Sequence, residues 1–386
     1  MLKKGILRVA EWAKRATKSQ GEPARHKVTS ASFAGEKANK KRNNMKKKQT
    51  KRYINVDGNT ACSNIAYYLS EVAEIYPITP SSTMAENCDE WSSKGRKNIF
   101  GQSVLVSELQ SEAGASGALH GSLTAGVLST TFTASQGLLL MLPNMYKIAG
   151  ELLPTVFHIS ARALSTHALS IFGDHSDVMA VRASGFNMLV SNSVQECQDM
   201  ALIAHVASLE SSLPFLHFFD GFRTSHEVQK IEAIDEKEID KIFPFDNVEA
   251  FKNRAITPQN PIQKGTAQNP DIYFQGREAA NVYYNKVFDN VLNAMKKVEG
   301  ITGRHYEPIE YFGDKNAEFV LVLMGSGFET ARETIRQLNL QGEKLGVMNI
   351  RLFRPFNMDY FIKKLPKFIK CFLWIMNRRE IDAVSD

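Results

Sequence analysis

The sequence predicts an α/β protein built on a parallel β-sheet, and three observations carry that prediction. From residue 53 onward, short apolar runs alternate with longer amphipathic segments, the rhythm of repeated βα units. The runs Gly126–Thr133, Pro154–Ser160 and Pro214–Phe219 are β-branched and aromatic, as buried strands are. Thr79, Glu112, Ser135 and Arg162 each stand just past an expected strand end. Ligands of such sheets collect at the carboxyl ends of the strands, so these four residues point to one shared site.

The elements follow in order. Residues 58–72 read as a helix and Glu74–Tyr76 as a short strand. Pro77 and Pro80 fix φ and exclude a regular ladder, so Tyr76–Ser82 is a strand end breaking into a turn that presents the hydroxyls of Thr79, Ser81 and Ser82. Ser82 is the expected N-cap of a helix through Trp91. Ser103–Val106 is the next strand and Glu108–Gly121 the next helix. Gly126–Thr133 follows, turning at residues 134–137 into a Leu- and Met-rich helix that runs to Ala149. Pro154–Ser160, Phe186–Val190 and Pro214–Phe219 complete about six parallel strands, with a helix over Gln195–Ser211 and helices on both sides of the sheet. Residues 230–275 break the rhythm: Pro244, Pro258, Pro261 and Pro270 indicate an irregular excursion. A helix over Glu278–Val298, a strand over Glu318–Met324, a helix opening at Glu329 and a strand over Gly346–Leu352 form a second α/β unit. Two or three strands cannot close an independent core, so this unit reads as incomplete. No internal repeat is present.

Length and charge set the bounds. A chain of 386 residues, 43% hydrophobic and 23% charged, has room for two or three ordinary globular domains. The net charge of +6 is unevenly spread. Residues 1–52 hold 17 Lys and Arg against 3 Asp and Glu, whereas the remainder holds 30 against 38. The acidic body argues against a nucleic-acid surface. No apolar run reaches the roughly 20 residues that a spanning helix needs; the longest candidate, Phe368–Met376, contains Lys370.

Residues 1–51 form a basic leader, expected to be solvated and disordered. Leu2, Ile6, Val9 and Ala13 recur at helical spacing among Lys and Arg, as in an organelle presequence; the other reading begins translation at Met45. The domain division expected is therefore leader 1–51, a first domain over 52–300 with the excursion 230–275 inside it, and a partial second domain over 301–386. Cys62, Cys88, Cys197 and Cys371 show no Cys-x-x-Cys spacing, so no iron–sulfur cluster or zinc ribbon is encoded. Scattered thiols without a secretory signal suit a reducing, intracellular setting.

Glu112 is the candidate that carries chemistry. It opens a segment of Ala, Gly and Ser running to Ala118, with Gly121 beyond, small enough for something to pack closely against it. A lone Glu there can be merely exposed or ion-paired. In a packed site it must be hydrogen-bonded, and a raised pKa would suit it to sharing a proton with a heterocycle. Arg162 is either a structural ion-pair partner or a fork for a carboxylate substrate. His167 and His175, with Asp174 and Asp177, fit no helical ligand pair, so no metal is assigned and turn or interface roles are expected. Gly325-Ser326-Gly327 after a strand is a weak phosphate-loop signal lacking a third glycine; strand–helix packing is the expected role.

Tyr76–Ser82, Ser111–Gly121, Thr133–Pro154, Phe172–Asp177 and His217–Thr224 resemble the N-terminal part of pyruvate:ferredoxin (flavodoxin) oxidoreductases, over roughly residues 50–376. The resemblance implies a pyrimidine-type thiamine-diphosphate-binding domain on a parallel sheet, followed by an incomplete α/β domain like the C-terminal domain of transketolase. Members oxidatively decarboxylate pyruvate with coenzyme A to acetyl-CoA and pass electrons through [4Fe-4S] clusters to ferredoxin or flavodoxin. Glu112 falls where the family's glutamate bonds the aminopyrimidine ring, promoting loss of the thiazolium proton. Pro77 and Thr79 border the cofactor, and Thr79 and Arg162 fall on the pyruvate-binding positions. Mg²⁺ and the clusters are expected on later domains, beyond residue 386, so this chain is expected to hold only the aminopyrimidine side and to show no turnover alone. The family also implies a homodimer and a cytoplasmic location, or a hydrogenosome or mitochondrion-related organelle if the leader is a presequence. A non-catalytic fragment and an oxidoreductase of another 2-oxoacid are the alternatives.

Overall fold

The computed structural model describes residues 51–367 and the backbone of Cys371–Ile375. The basic leader up to residue 50, residues 368–370 at the start of the apolar run, and residues 376–386 lie outside the described residues.

The strands are β1 (Tyr53–Val56), β2 (Val72–Ile75), β3 (Leu105–Glu108), β4 (Ser129–Thr133), β5 (Val156–Ala161), β6 (Asn187–Val190), β7 (Phe215–Asp220), β8 (Gln229–Glu232), β9 (Ile309–Gly313), β10 (Phe319–Leu323), β11 (Leu345–Ile350), β12 (Leu352–Arg354) and β13 (Cys371–Ile375). The larger sheet has the order β12-β6-β7-β5-β4-β2-β3. Its six strands from β6 to β3 are parallel, as expected, and β12 adds an antiparallel edge. Every residue of β4 and β5 is buried, as continuous β-branched and aromatic runs covered on both faces must be. β3 stands at the edge, and both its end residues are exposed.

Local chemistry sets the helix starts. Asp57 accepts from Thr60 N at 2.7 Å and opens the helix Gly58–Tyr68. Ser111 accepts from Gly114 N and starts the next helix at Glu112, running to Thr124, four residues later than the sequence suggests. Its end follows Leu119 and Leu123, both buried. Ser82 is already helical and the preceding Ser81 makes no side-chain cap; its hydroxyl donates to Ile78 O instead. Ser193 and Glu196 form a reciprocal cap at the helix Val194–Ser211: Glu196 N donates to Ser193 Oγ, and Asn192 N donates to Glu196 Oε2. The helices Ser82–Ser93, Gly58–Tyr68, Val194–Ser211 and Val287–Thr302 pack in that succession, and Glu112–Thr124 packs on Ser135–Gly150.

The excursion over residues 230–275 begins with β8, which pairs antiparallel with β1 and ties the start of the described chain to it. The single helix expected over 278–298 is broken into Pro270–Ala279, Asn281–Tyr284 and Val287–Thr302. The first two bury no residue, so packing does not hold one continuous register across them. The third buries Val287, Val291, Ala294, Met295 and Val298 at helical spacing.

β13-β10-β11-β9 form a second, four-stranded sheet, with β9 antiparallel, two strands more than the two the sequence marks. Arg351, between β11 and β12, joins the two sheets. It is 4% exposed, donates to both carboxylate oxygens of Glu196, and bonds Glu310 at 2.6 Å. Removing one partner of a buried pair leaves the other charge uncompensated. Arg351→Ala is therefore expected to cost about 3–5 kcal/mol in urea unfolding; a loss near zero would show that Glu196 finds solvent or another donor.

Candidate functional site

The carboxyl edge of the larger sheet is held together by one carboxylate that the sequence reading did not single out. Asp177 is fully buried; its Oδ2 accepts from Ser135 N at 2.8 Å and Arg162 N at 3.1 Å, and its Oδ1 from Val178 N. It clasps the residues that follow β4 and β5. Ser135 takes the left-handed conformation (φ 54°) at this bend, and its hydroxyl donates to Ala163 O. No spacing signal marks Asp177; only its place in the Thr166–Asp177 loop brings it here.

Burial pushes the Asp177 carboxyl up to about 6 from 3.8, against the backbone donors and nearby His175. Because the folded value exceeds the ordinary one, the fold takes up this proton first and gains stability as pH falls from about 6 toward 4. The stability difference between wild type and Asp177→Asn is expected to move toward wild type by up to about 3 kcal/mol over that window, read by urea unfolding. A flat difference would mean that the carboxyl titrates at its ordinary value.

Arg162 projects from this clasp. It is 7% exposed, and its Nη1 donates to the backbone carbonyl of Thr79 at 2.5 Å. Arg162 and Thr79 are thus brought together, through the Thr79 carbonyl; the Thr79 side chain itself is exposed and makes no hydrogen bond. Among the described residues, Arg162 Nε is buried without a partner and Nη2 makes no hydrogen bond. The Nε–Nη2 edge of the fork is therefore unused. Burial pulls this guanidinium below the ordinary arginine value, with Asp177 opposing.

Glu112 lies on the same edge, past β3, as the first residue of its helix. It is 6% exposed, and its carboxylate has no hydrogen-bond partner among the described residues. A Cβ on Gly137 would stand 2.7 Å from Glu112 Oε1 and 2.6 Å from Thr133 Oγ1. The carboxylate and that hydroxyl therefore flank the same glycine, and Thr133 Oγ1 is also buried without a partner. Contacts run continuously from Glu112 through Gly137, Ser135 and Asp177 to Arg162 and Thr79. Pro77 is half-buried in the turn after β2.

Among the described residues, only Asn144, which donates to Ala113 O, reaches the small-residue face of the Glu112 helix from another element. Ala113, Gly114, Gly117 and Gly121 are exposed, and a Cβ on Gly121 would meet nothing within 4 Å. The buried side of the helix is Ala115, Ser116 and Leu119.

The other candidates are structural. Ser326 N and Oγ both donate to Asp220, and a Cβ on Gly325 (φ +74°) would lie 2.7 Å from that carboxylate. The Gly325–Gly327 turn thus spends its donors on the acidic side chain that ends β7. His175 Nε2 bonds Asp220 at 2.7 Å. Against burial, Asp220 raises the His175 pKa, and His175 with Ser326 holds the Asp220 carboxyl low. His167 is exposed. Neither histidine belongs to a cluster of three potential metal ligands among the described residues.

An unpartnered carboxylate beside an unpartnered hydroxyl suits a heterocycle bearing a ring nitrogen and an amine. A half-used guanidinium suits a carboxylate.

Comparison with known proteins gives this edge a context. Residues 64–296 match the family described as pyruvate flavodoxin/ferredoxin oxidoreductase, thiamine diphosphate-binding, and residues 317–378 match pyruvate:ferredoxin oxidoreductase core domain II. A pyruvate:ferredoxin oxidoreductase of Moorella thermoacetica is 62% identical over 315 residues, 82% of this chain and 27% of that protein. A mitochondrial NADP⁺-dependent pyruvate dehydrogenase of Euglena gracilis is 53% identical over 86% of this chain and 18% of its own length. A solved 2-oxoglutarate:ferredoxin oxidoreductase of Magnetococcus marinus shares the fold, with a TM-score of 0.66 at 18% identity, covering 85% of this chain and 58% of that one.

Proposed function

The chain belongs to the pyruvate flavodoxin/ferredoxin oxidoreductase family, and we propose that it supplies the aminopyrimidine side of the thiamine diphosphate site and the guanidinium that receives the oxoacid. The observation that carries this reading is Glu112, only 6% exposed as a residue, whose carboxylate has no hydrogen-bond partner among the described residues. Leaving a buried charge unmatched is costly, so a ligand group that bonds it is favoured there.

The residues fit the cofactor's aminopyrimidine. Glu112 would hold a ring nitrogen and share its proton, Thr133 Oγ1 would meet a polar edge of the ring, and Pro77 and Thr79 would border it. When bound, thiamine diphosphate supplies the nucleophilic carbon and the electron sink for decarboxylation. Arg162 would pair the pyruvate carboxylate through Nε and Nη2 while Nη1 stays on Thr79 O, orienting the carbonyl for attack. Asp177 keeps Arg162 and Ser135 aligned through the backbone.

The chain spans 27% of the length of its Moorella relative. The full reaction is therefore read with the rest of such a protein: pyruvate and coenzyme A to acetyl-CoA, with electrons leaving to ferredoxin or flavodoxin. Mg²⁺ with the diphosphate, and the [4Fe-4S] clusters, are assigned to that remainder. We place the first domain at residues 52–300 and the second from 301. The exposed Ala113–Gly121 face supports a homodimer or a further domain packing there. Among the described residues no helix is long and apolar enough to cross a membrane. A cytoplasmic location is proposed, with an organelle as the alternative if the leader acts as a presequence.

The test mixes the purified chain with the remaining domains of a relative and follows pyruvate-, coenzyme A- and thiamine diphosphate-dependent dye reduction. Activity is expected only in the mixture. An inactive mixture of folded partners would favour a non-catalytic fragment, and preference for a larger oxoacid would remove the pyruvate assignment.

A further inference from the structure

A second constellation lies inside the first domain, away from the carboxyl edge. His158 on β5 and His217 on β7 are direct neighbours in the sheet register. Both meet Cys62, carried by the helix Gly58–Tyr68. Cys62 Sγ lies 3.1 Å from His158 Nδ1 and 3.7 Å from His217 Nδ1, and the two nitrogens are 2.9 Å apart. All three residues are fully buried. These separations define a point about 1.9 Å from each atom, close to the ~2.0 Å metal–nitrogen and ~2.3 Å metal–sulfur bonds of thiolate–imidazole sites.

Proton bookkeeping leaves either the Cys62 thiol, a weak donor, or the facing imidazole nitrogens short of a partner in the metal-free cluster. If one proton sits between the two Nδ1 atoms, the only lone pair there is used and the Cys62 thiol hydrogen has no acceptor. If none does, the thiol can donate to His158, but two bare lone pairs then face each other at 2.9 Å. The outer nitrogens, by contrast, are placed as metal-bound histidines require. His217 Nε2 meets Ser191 Oγ at 2.7 Å, whose hydroxyl reaches Glu196 O, and His158 Nε2 meets His205 Nε2 at 3.2 Å. His205, 7% exposed, lines a narrow surface cleft with Leu69, Thr155 and Ser208.

We propose that Cys62, His158 and His217 form a buried three-coordinate site for one soft monovalent d¹⁰ cation of the Cu(I) class. Thiolate and imidazole are ligands that such ions favour. One thiolate neutralises a monovalent ion, whereas a divalent ion would leave a net charge in a core where, among the described residues, no carboxylate touches the three ligands. Burial pushes the Cys62 thiol well up and the two imidazoles down, so the imidazoles offer lone pairs and the metal would have to displace the thiol proton.

The test titrates Cu(I) anaerobically against a chromophoric chelator, using the untagged full chain both as folded and after refolding with the metal. One equivalent is expected to bind, with Cys62→Ser weakened at least 100-fold and Cys88→Ser, a buried thiol outside the cluster, unchanged. X-ray absorption of the loaded wild type needs no variant and is expected to report one sulfur and two nitrogen neighbours. No retained Cu(I) in either preparation, equal retention by Cys62→Ser, or a shell of two or more sulfurs would overturn the proposal.

Discussion

Glu112→Gln, in a complete enzyme carrying this segment, is expected to lower pyruvate-dependent turnover by roughly 10²–10⁴-fold, the range typical of losing a positioned proton-transfer group. The same substitution is expected to leave thermal stability unchanged or slightly raised. The carboxylate has no hydrogen-bond partner among the described residues, so the isosteric amide breaks none, and a charge on a largely buried residue is removed. Loss of activity without loss of stability is the signature of a group retained for chemistry rather than packing. Parallel kinetic and thermal measurements check both halves. Near-normal turnover would remove the carboxylate from proton transfer, and a large fall in stability would mean that Glu112 is a structural residue.

Arg162→Lys is the second large effect. Lysine can still reach toward the Thr79 carbonyl, but it lacks the Nε–Nη2 edge that stands unused here, and a point charge does not replace a planar fork. We expect kcat/KM for pyruvate to fall by about 100-fold, consistent with losing a charged hydrogen bond of ~1.5–3 kcal/mol, mostly through KM. The apparent affinity for thiamine diphosphate should stay within about twofold. An unchanged KM with reduced kcat would place Arg162 at the reacting atoms instead, and an equal fall in cofactor affinity would mean that it shapes the whole edge.

Much of this architecture is legible because the strands are short, continuous and β-branched, and parallel strands buried on both faces have to be so. The catalytic candidates are legible for a related reason. Residues just past strand ends gather on one edge whatever the details of the helices, and Thr79, Glu112, Ser135 and Arg162 all do. The edge strands are less legible. β1 and β8 are half-exposed and pair across more than 170 residues, and β12 is three residues long. Neither carries a local pattern strong enough to stand out.

The side chains that organise the site are harder still. Asp177 and Asp220 look like ordinary loop acids until the fold brings backbone and hydroxyl donors from separate segments onto them. Cys62, His158 and His217 come from a helix and two strands spread over 156 positions, so no ligand spacing announces them. The Ala113–Gly121 face shows the opposite error. Small residues record that a close neighbour is accommodated, not which chain provides it, and within the described residues that face is open.

The most direct test of the central claim is hydrogen–deuterium exchange at the reactive thiazolium carbon of thiamine diphosphate bound to a complete enzyme with this segment, compared between wild type and Glu112→Gln by quenched-flow NMR. Exchange is expected to slow by at least about 100-fold in the variant at saturating cofactor. Equal exchange rates in the two proteins would contradict the assignment of Glu112 as the carboxylate that controls that proton.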